Sequence, residues 1–354
     1  MTADRTPQAE SPSHSLDIQI EKKPPDEWDR FVAEAEGGSF CHLGGWGEVF
    51  RQSLGLSPRY LEARKGNELK GVLPLYRMPR LGPGKVLVSV PYLNYGGPLG
   101  EEHARTALVK RAVHEAQESG VRRLEIRSRF PVDAELPEGR EKVTVVLPLP
   151  EDSEILFKDT FKSKLRSQIR RPMKADMKAR FGPEEREAFY TVFARNMRDL
   201  GTPVLPHSFF RQMARVFPDH VDFGAVYLGD EPVAAGCGFH FGDEFEMTWA
   251  SSLREFNRQA PNMLLYWAFM ERCIEAGRKI FNFGRCTPGG GTHRFKSQWG
   301  GDDEPLAWLQ WPQEAEAASP ESGVFQTATR LWQRLPLPVA NRLGPLLARR
   351  IPTF

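Results

Sequence analysis

Cysteine is scarce in this sequence, and its spacing matches no metal site. The four cysteines among the 354 residues are Cys41, Cys237, Cys273 and Cys286. None belongs to a C-x-x-C pair, and none stands at the spacing of a zinc ligand set. We interpret them as buried or free thiols in a reducing compartment, and we expect no metal site.

Long apolar runs and an excess of charge of one sign are also missing. No apolar stretch approaches the roughly 20 residues of a membrane-spanning helix, and the N-terminus shows no basic stretch followed by an apolar one. The 48 basic and 46 acidic residues nearly balance, so any basic binding site must be local. We expect a cytoplasmic protein, with peripheral contact at the inner membrane left open for its C-terminal tail.

The order of predicted elements occurs twice along the chain. The hairpin at Tyr60–Arg77 has a counterpart at Ala225–Phe241, and the helix and strand at Ala104–Ile126 have one at Asn262–Phe281. We therefore predict an α/β (α+β) protein with two similar halves and a ligand site in the cleft between them. The predicted divisions are a disordered leader at 1–15, a first half at 16–150, a second half at 151–312 and an amphipathic basic tail at 313–354. The tail either docks on the second half or lies on an anionic membrane surface.

The segment Phe161–Arg180 carries an apolar row and a cationic row side by side, each with a spacing of four residues. These rows predict an amphipathic helix within helical material that runs from Glu154 to about Val216. Like charges along one edge repel each other unless an anion lies across them. We interpret the cationic row as a clamp for a phosphorylated ligand, and the alternative is a solvated helix face. Its candidate binding residues are Lys162, Arg166, Arg170, Arg171 and Lys174.

The stretch Phe281–Gly300 begins as a β-type run and then enters a glycine-rich, cationic loop. Such a loop can bring backbone N–H groups and positive charge to an anion, whereas the alternative is a plain turn between two strands. His293 could act as a general base, since its unperturbed pKa is near ~6.5, although the sequence identifies no partner carboxylate. We assign Arg285, His293, Arg294 and Lys296 to catalysis and Thr287, Gly291, Thr292 and Trp299 to binding.

Two further loops contribute binding candidates. One follows the predicted buried strand Val86–Val90, and its glycines allow a ligand or another backbone to approach closely, although a plain turn is equally compatible. The other is the Gly-Thr-Pro break between two predicted helices. The candidates from these loops are Asn94, Tyr95, Gly96, Gly97 and Thr202.

Acidic residues receive no catalytic role at this stage. Asp243, Glu244 and Glu246 lie at or beside a predicted strand, and we interpret them as surface charges. No Walker loop, G-x-S-x-G or H-E-x-x-H motif occurs. We therefore assume no enzyme base, since the substrate or a water molecule could accept the proton.

The order of these motifs resembles that of the FemAB-like proteins, most closely the branch associated with exosortase/PEP-CTERM systems. The similarity covers roughly Leu16 to Trp311. The motifs that carry it are Lys162–Arg171, Gly201–Pro203, Phe281–Arg285 and Gly291–Lys296.

The resemblance implies two tandem GNAT-like domains, each a mixed, mostly antiparallel sheet flanked by helices. It implies transfer of an acyl or aminoacyl group to an amine or hydroxyl of a cell-envelope or exopolysaccharide precursor. We expect a phosphorylated or nucleotide-linked glycan precursor as acceptor and no bound cofactor. The donor stays open between acyl-CoA and aminoacyl-tRNA. The loop Arg258–Asn262 lacks the glycines of the acyl-CoA pattern, and no heptad segment matches the arm of tRNA-using members.

At three positions this sequence departs from the residues that are usual in the branch it resembles. Asn282, Cys286 and His293 stand where the branch more usually has Asp, Ser and Tyr.

Two other functions remain open. One alternative is a non-catalytic protein that binds a glycan or lipid precursor and organises synthases at the inner membrane, which the cationic tail would suit. The other is RNA binding through the cationic row, against which the near-neutral charge and the lack of interleaved aromatic residues argue.

Overall fold

A computed structural model of the chain describes residues 16–137, 139, 141–312 and 323–351, so the predicted leader lies outside the described residues. The strands are Asp17–Glu21 (β1), Ser57–Lys65 (β2), Glu68–Pro79 (β3), Lys85–Val88 (β4), Leu99–Gly100 (β5), Arg123–Ser128 (β6), Lys142–Pro148 (β7), Lys178–Phe181 (β8), Val221–Leu228 (β9), Glu231–Phe241 (β10), Glu244–Ser252 (β11), Ile280–Cys286 (β12) and Asp302–Trp311 (β13). The α-helices are Trp28–Glu34 (α1), Trp46–Leu54 (α2), Glu102–Glu118 (α3), Ser153–Ile155 (α4), Ser163–Lys174 (α5), Arg186–Leu200 (α6), His207–Val216 (α7), Pro261–Glu275 (α8), Gly291–Ser297 (α9), Gly323–Gln333 (α10) and Leu337–Ala348 (α11).

The strands form one mixed sheet in which the same plan occurs twice. The order across the sheet is β1-β2-β3-β4-β6-β13-β7-β12-β11-β10-β9-β8, with β5 beside β3. In each half an antiparallel series of strands leads through a helix to a parallel neighbour, so that β4 pairs with β6 and β11 pairs with β12. The predicted repeated α/β architecture is therefore confirmed.

The two halves exchange their last strands. β7 follows the first half in sequence, yet it pairs antiparallel with β12 of the second. β13 ends the second half, yet its residues 307–311 pair with β6 of the first, while residues 302–306 pair with β7. The strand predicted at Val143–Leu149 thus completes the sheet of the second half. The sheet runs through the predicted boundary at 150, and that boundary stays a prediction.

The helices that follow the hairpins begin and end where their sequence predicts. α8 opens with a proline at its first position, and Gly277, just beyond its end, adopts a left-handed φ of 71°. Gly120 plays the same part after α3, with a φ of 58°. Both helices lie against the sheet and bury apolar side chains there, which fixes the strands that they connect.

One expectation about the second half is wrong, and one of the two interpretations of the glycine-rich segment is excluded. The continuous helical material from Glu154 is interrupted, because α5 ends at Lys174 and Asp176 turns into the left-handed region with a φ of 57°. Met177 and Lys178, which the two rows placed on the helix, instead lead into β8 at the sheet edge. The glycine-rich segment is followed by the short helix α9 and not directly by a second strand.

The C-terminal helices α10 and α11 pack on α6. Gln333 Nε2 donates to the Asp199 carbonyl at 3.1 Å, and Arg198 Nη1 donates to the Leu335 carbonyl at 3.0 Å. The hydroxyl of Tyr92, in the first half, donates to the Ala348 carbonyl at 3.1 Å. The tail therefore docks on both halves. Across the described ranges, no helix is long and apolar enough to cross a bilayer.

One apolar cluster is shared between the halves. Trp46 of α2 lies 4.9 Å from the ring of Phe217 and 5.5 Å from that of Phe239, both in the second half. Phe40 stacks on Phe239 at 4.2 Å. These contacts bury large aromatic rings across the junction, so the two halves pack against each other over a common core.

Candidate functional site

The parallel strands of the second half separate where the site begins. β11 and β12 pair only from Glu244–Glu246 to Ile280–Asn282. Gly284 then takes a left-handed φ of 72°, and the antiparallel pairing of β12 with β7, which begins at Ile280, is irregular between Asn282 and Arg285. The loop after β4 enters this opening from the first half, since a Cβ on Gly284 would lie 3.0 Å from the side-chain nitrogen of Asn94. The opening is thus filled by residues of both halves.

Glu246 is buried at the end of the paired segment, with 1% of its surface exposed. Asn94 Nδ2 donates to its Oε1 at 2.5 Å, Thr248 Oγ1 donates to the same oxygen at 3.1 Å, and the Tyr95 hydroxyl donates to Oε2. Burial raises the pKa of Glu246 to about 7, and the charge of Glu244 adds to the rise, while the hydrogen bonds from Tyr95 and Asn94 oppose it. A carboxyl group with such a pKa can accept a proton near neutral pH.

Asn282 holds the groups around Glu246 in place. Its Nδ2 donates to the Tyr95 hydroxyl at 2.9 Å and to Glu244 Oε1 at 2.8 Å. Its Oδ1 accepts from Thr144 Oγ1 at 2.5 Å and from the Gly284 N–H at 2.8 Å. A neutral amide exchanges no proton at ordinary pH, so Asn282 positions its neighbours.

Arg129, just after β6, links the two halves beside this network. Its guanidinium pairs with Glu244 at 2.9 Å and with Glu304 of β13 at 3.0 Å. It also lies over the Tyr95 ring, 5.4 Å from the centroid. Arg129 therefore fixes Glu244 and Tyr95 from the side of the first half.

A cleft open to solvent reaches Glu246. The buried His42 lies next to Ser39 of the cleft lining, and burial lowers the pKa of His42 to about 4, so its ring is neutral. Its Nε2 donates to the Gly97 carbonyl at 3.1 Å, and its Nδ1 accepts from Ser39 Oγ at 2.9 Å. The cleft combines carboxylates at one end with aromatic walls, which suits a cationic amine attached to an apolar or sugar-like body. It is lined by Gly38, Ser39, Phe40, Arg129, Phe239, Phe241, Glu244 and Glu246.

Arg285 and Lys296 support the opening, Arg285 through the Asn94 loop and Lys296 through the main chain of β12. Arg285 Nε donates to Asn94 Oδ1 at 3.3 Å, and its guanidinium lies 5.0 Å from the centroid of the Trp308 ring. Desolvation, then the charge of Arg127, lowers the pKa of Arg285 to about 10. Lys296 donates to the carbonyls of Gly284 at 2.7 Å and Arg285 at 3.0 Å, and burial lowers its pKa to about 8. Both cations are therefore held against main-chain or side-chain oxygens of the site.

His293, Arg294 and Thr287 form a separate group at the start of α9. His293 Nε2 lies 2.7 Å from Asp303 Oδ2, the carboxylate partner that the sequence left unidentified. Its Nδ1 accepts from the Gly289 N–H at 3.1 Å, so both ring nitrogens are engaged. Arg294 donates to the Gly289 carbonyl at 2.8 Å. Thr287 accepts from Lys142 at 2.5 Å, and Gly291 and Thr292 are exposed in the first turn of the helix.

The cationic row of α5 lies beside the start of α8. Arg171 donates to the carbonyl of Arg258, just before α8, at 3.3 Å. Arg170 lies over the Phe157 ring at 5.0 Å, and Lys162 and Lys174 are exposed. No carboxylate lies within ion-pair distance of these four cations in the part of the chain that the structure describes.

The remaining candidates lie elsewhere. Arg166 is engaged by main-chain oxygens, since it donates to the carbonyls of Lys158 at 2.6 Å and Phe161 at 2.7 Å. Trp299 is buried, 5.5 Å from the Phe161 ring. Thr202 follows α6 on the side of the C-terminal helices. The contacts of the described residues thus unite Asn94, Tyr95, Gly96, Gly97, Arg285 and Lys296, and none joins the cationic row to that group.

The expectation that Glu246 is a surface charge is wrong, whereas Asp243 is exposed as expected. Glu246 alternates with Phe245 and Met247 along β11, so it points to the opposite face of a strand that has neighbours on both sides. A strand in the middle of a sheet often has both faces covered, and this was the available signal.

Comparisons with known proteins agree with this architecture. The family model described as Acetyltransferase (GNAT) domain matches residues 161–297, which run from α5 to α9. A search of curated protein sequences finds no significant match.

Solved structures extend the likeness to most of the chain. The chain is similar to FemX, with a TM-score of 0.60 and 15% identity over 89% of this chain and 100% of that one. It is similar to L-PGS from Bacillus licheniformis, with 0.53 and 14% over 89% and 99%. It is also similar to the DUF2156 domain of a protein from Agrobacterium fabrum named for lysylphosphatidylglycerol synthetase, with 0.53 and 13% over 74% and 85%. At such identities the likeness shows the fold alone. The GNAT-like, FemAB-like fold is confirmed, and the association with exosortase/PEP-CTERM systems stays a prediction.

Proposed function

We propose that this protein is an acyl- or aminoacyltransferase that modifies an amine or hydroxyl of a cell-envelope or exopolysaccharide precursor, with Glu246 as its general base. The observation that carries the proposal is the position of Glu246. It lies at the end of the cleft between two GNAT-like halves, it is buried, and its pKa is about 7. Three donors fix the carboxylate without neutralising it.

The chemistry needs one proton acceptor at the end of the cleft. The neutral amine or the hydroxyl of the acceptor attacks the acyl carbonyl carbon. The new bond forms as the C–S bond of a thioester or the C–O bond of an ester breaks, and the donor leaves as a thiolate or an alkoxide. The attacking atom loses a proton in this step, and the ionised Glu246 takes it. Burial raises the pKa of Tyr95 well above its usual value, so its hydroxyl stays protonated and keeps Glu246 oriented. Arg285 holds the Asn94 loop on which this geometry depends, and Lys296 holds the main chain at Gly284 and Arg285.

The donor would reach Glu246 along the open edge of β11. Among the described residues, no strand pairs with Met247–Ser252 on the side of β12. A strand rises about 3.3 Å per residue, so Ser252 lies roughly 20 Å from Glu246. That edge leads to the start of α8, where Arg170 and Arg171 are exposed. We propose that these arginines bind the donor's phosphates and that its arm follows β11 towards Glu246.

Acyl-CoA is the first donor to test, because its arm carries amide groups that can pair with a strand edge. Aminoacyl-tRNA is the second. For the acceptor, the carboxylates of Glu244 and Glu246 favour an amine over a hydroxyl, and the aromatic walls suit a sugar ring. We therefore propose an amino sugar carried on a phosphorylated or nucleotide-linked precursor as the preferred acceptor.

A transfer assay tests the proposal with two matched acceptors. Acetyl-CoA and aminoacyl-tRNA are each incubated with the protein and with UDP-glucosamine or UDP-glucose, and products are identified by mass spectrometry. We expect acylation of the amine, at least about 100-fold slower for Glu246→Gln with unchanged donor affinity. Glu231→Gln, at the exposed first residue of β10, is the control. Full activity of Glu246→Gln would refute the base. Binding of the sugar nucleotide without transfer from any donor would support the non-catalytic alternative.

A further inference from the structure

The C-terminal helix α11 turns small residues inward. Ala340, Gly344 and Ala348 are buried in a stripe at a spacing of four. The contact is close, because a Cβ on Gly344 would lie 2.9 Å from the backbone nitrogen of Val204. α11 thus docks through small side chains and approaches the backbone of the loop after α6 closely, while several large apolar residues of the helix face outward.

Large apolar side chains cover the outside of this region. Val339, Leu343 and Leu346 of α11 lie within about 60° of one another at roughly 100° per residue. α10, which carries Leu331, and α11 both pack on α6, which ends at Leu200, and the five side chains are between 41% and 62% exposed. They make up five of the nine exposed large apolar residues of the described chain. We call these five residues the C-terminal face.

The charge of the C-terminal helices has one sign. Residues 323–354 contain five arginines and no lysine, aspartate or glutamate. Arg330, Arg334, Arg342 and Arg350 are exposed, and no carboxylate of the described residues lies within ion-pair distance of them. An ordinary solvated surface mixes both signs. A membrane with acidic lipids has anionic headgroups at its surface and apolar acyl chains below them. Exposed leucines beside arginines that have no carboxylate partner among the described residues are complementary to that interface.

We propose that the C-terminal face docks this protein on an anionic lipid surface. The helices would lie along the surface, with the leucines among the acyl chains and the arginines at the headgroups. Docking would bear on the site through Tyr92, which donates to the end of α11 and belongs to the same loop as Asn94 and Tyr95. The proposal goes beyond the acyl transfer proposed above and stands without it.

Vesicle sedimentation of the full chain tests the proposal. The probes are vesicles of phosphatidylcholine alone and of phosphatidylcholine with about a quarter phosphatidylglycerol. We expect at least about tenfold tighter binding to the anionic vesicles, weakened when sodium chloride rises from about 0.1 M to about 0.5 M. No binding to anionic vesicles, or equal binding to both kinds, would overturn the proposal.

Variants separate the apolar from the charged contribution. Leu343→Ser/Leu346→Ser should lose about tenfold or more in vesicle binding, because two inserted side chains are removed. The matched control Leu81→Ser/Ile155→Ser alters side chains that are 49% and 47% exposed elsewhere on the molecule and should bind as the wild type does. Thermal melting and far-ultraviolet circular dichroism confirm that both variants fold. Equal losses in both double variants would overturn the docking face.

Light scattering tests whether the C-terminal face binds a second copy of this chain and not a lipid surface. A dimer of the wild type that becomes monomeric in Leu343→Ser/Leu346→Ser, with no vesicle binding by either, would overturn the lipid proposal. Transfer to the water-soluble acceptor is measured on the same variant. Because the C-terminal face lies outside the cleft, we expect that rate to be unchanged, so failure of docking and failure of the transferase proposal give different results.

Discussion

Replacing Glu246 by glutamine should change how stability depends on pH. Burial raises the pKa of Glu246 from its ordinary 4.5 to about 7. Below pH 4.5 both folded and unfolded states carry the proton, and the buried carboxyl costs nothing. Between about pH 4.5 and pH 7 the unfolded state loses its proton first, so the free energy of unfolding falls as pH rises. At about 1.36 kcal/mol per pKa unit the full cost is about 3 kcal/mol, present above pH 7. Because glutamine does not ionise, the unfolding free energy of the variant is not lowered in this way.

Urea unfolding at about pH 5 and about pH 8 measures the effect. The difference in unfolding free energy between Glu246→Gln and wild type should shift by about 2 to 3 kcal/mol in favour of the variant as pH rises. Other titrating groups occur in both proteins and cancel. Glu231→Gln, at an exposed position, should show no such shift. A shift below about 0.5 kcal/mol would refute the reasoning, because the carboxyl would then ionise as it does in water.

Two further substitutions test the loop and the donor surface. Gly97→Ala should destabilise the protein by about 2 kcal/mol, because its Cβ would lie 2.7 Å from a main-chain carbon of β6. Gly291→Ala, where a Cβ meets nothing within 4 Å, serves as control, and equal urea midpoints would contradict the close approach. Arg170→Gln/Arg171→Gln should weaken CoA binding about tenfold in calorimetry, since two charge-assisted contacts are lost. Arg211→Gln, an exposed arginine elsewhere, should not, and unchanged affinity in the double variant would remove α5 from the donor site.

The repeated plan of the fold could be predicted because its signals are local. Turn residues between alternating apolar runs mark the two hairpins, and Pro261 and Gly277 mark the ends of α8. The exchange of β7 and β13 between the halves could not be predicted in this way. Which strand pairs with which depends on contacts between residues more than 100 positions apart, such as Phe281 with Leu147. Periodicity within a single strand carries no information about that choice.

The candidate site was predicted in part for the same reason. The glycines in the sequence indicate the Asn94 loop and the segment around Gly284 as candidate ligand sites, and the structure brings these two segments into contact. Glu246 was missed because its burial depends on Asn94 and Tyr95, which come from the other half of the chain. The cationic row was extended too far because a left-handed turn at Asp176 ends the regular spacing.

The pH dependence of kcat tests the central claim, that Glu246 accepts the proton of the attacking group, most directly. For wild type with acetyl-CoA and saturating amine, we predict a rate that falls below about pH 7, as the carboxylate becomes protonated. For Glu246→Gln we predict a rate at least about 100-fold lower at pH 8, without the inflection near 7. An inflection near 7 that persists in a fully active Glu246→Gln enzyme would contradict the account.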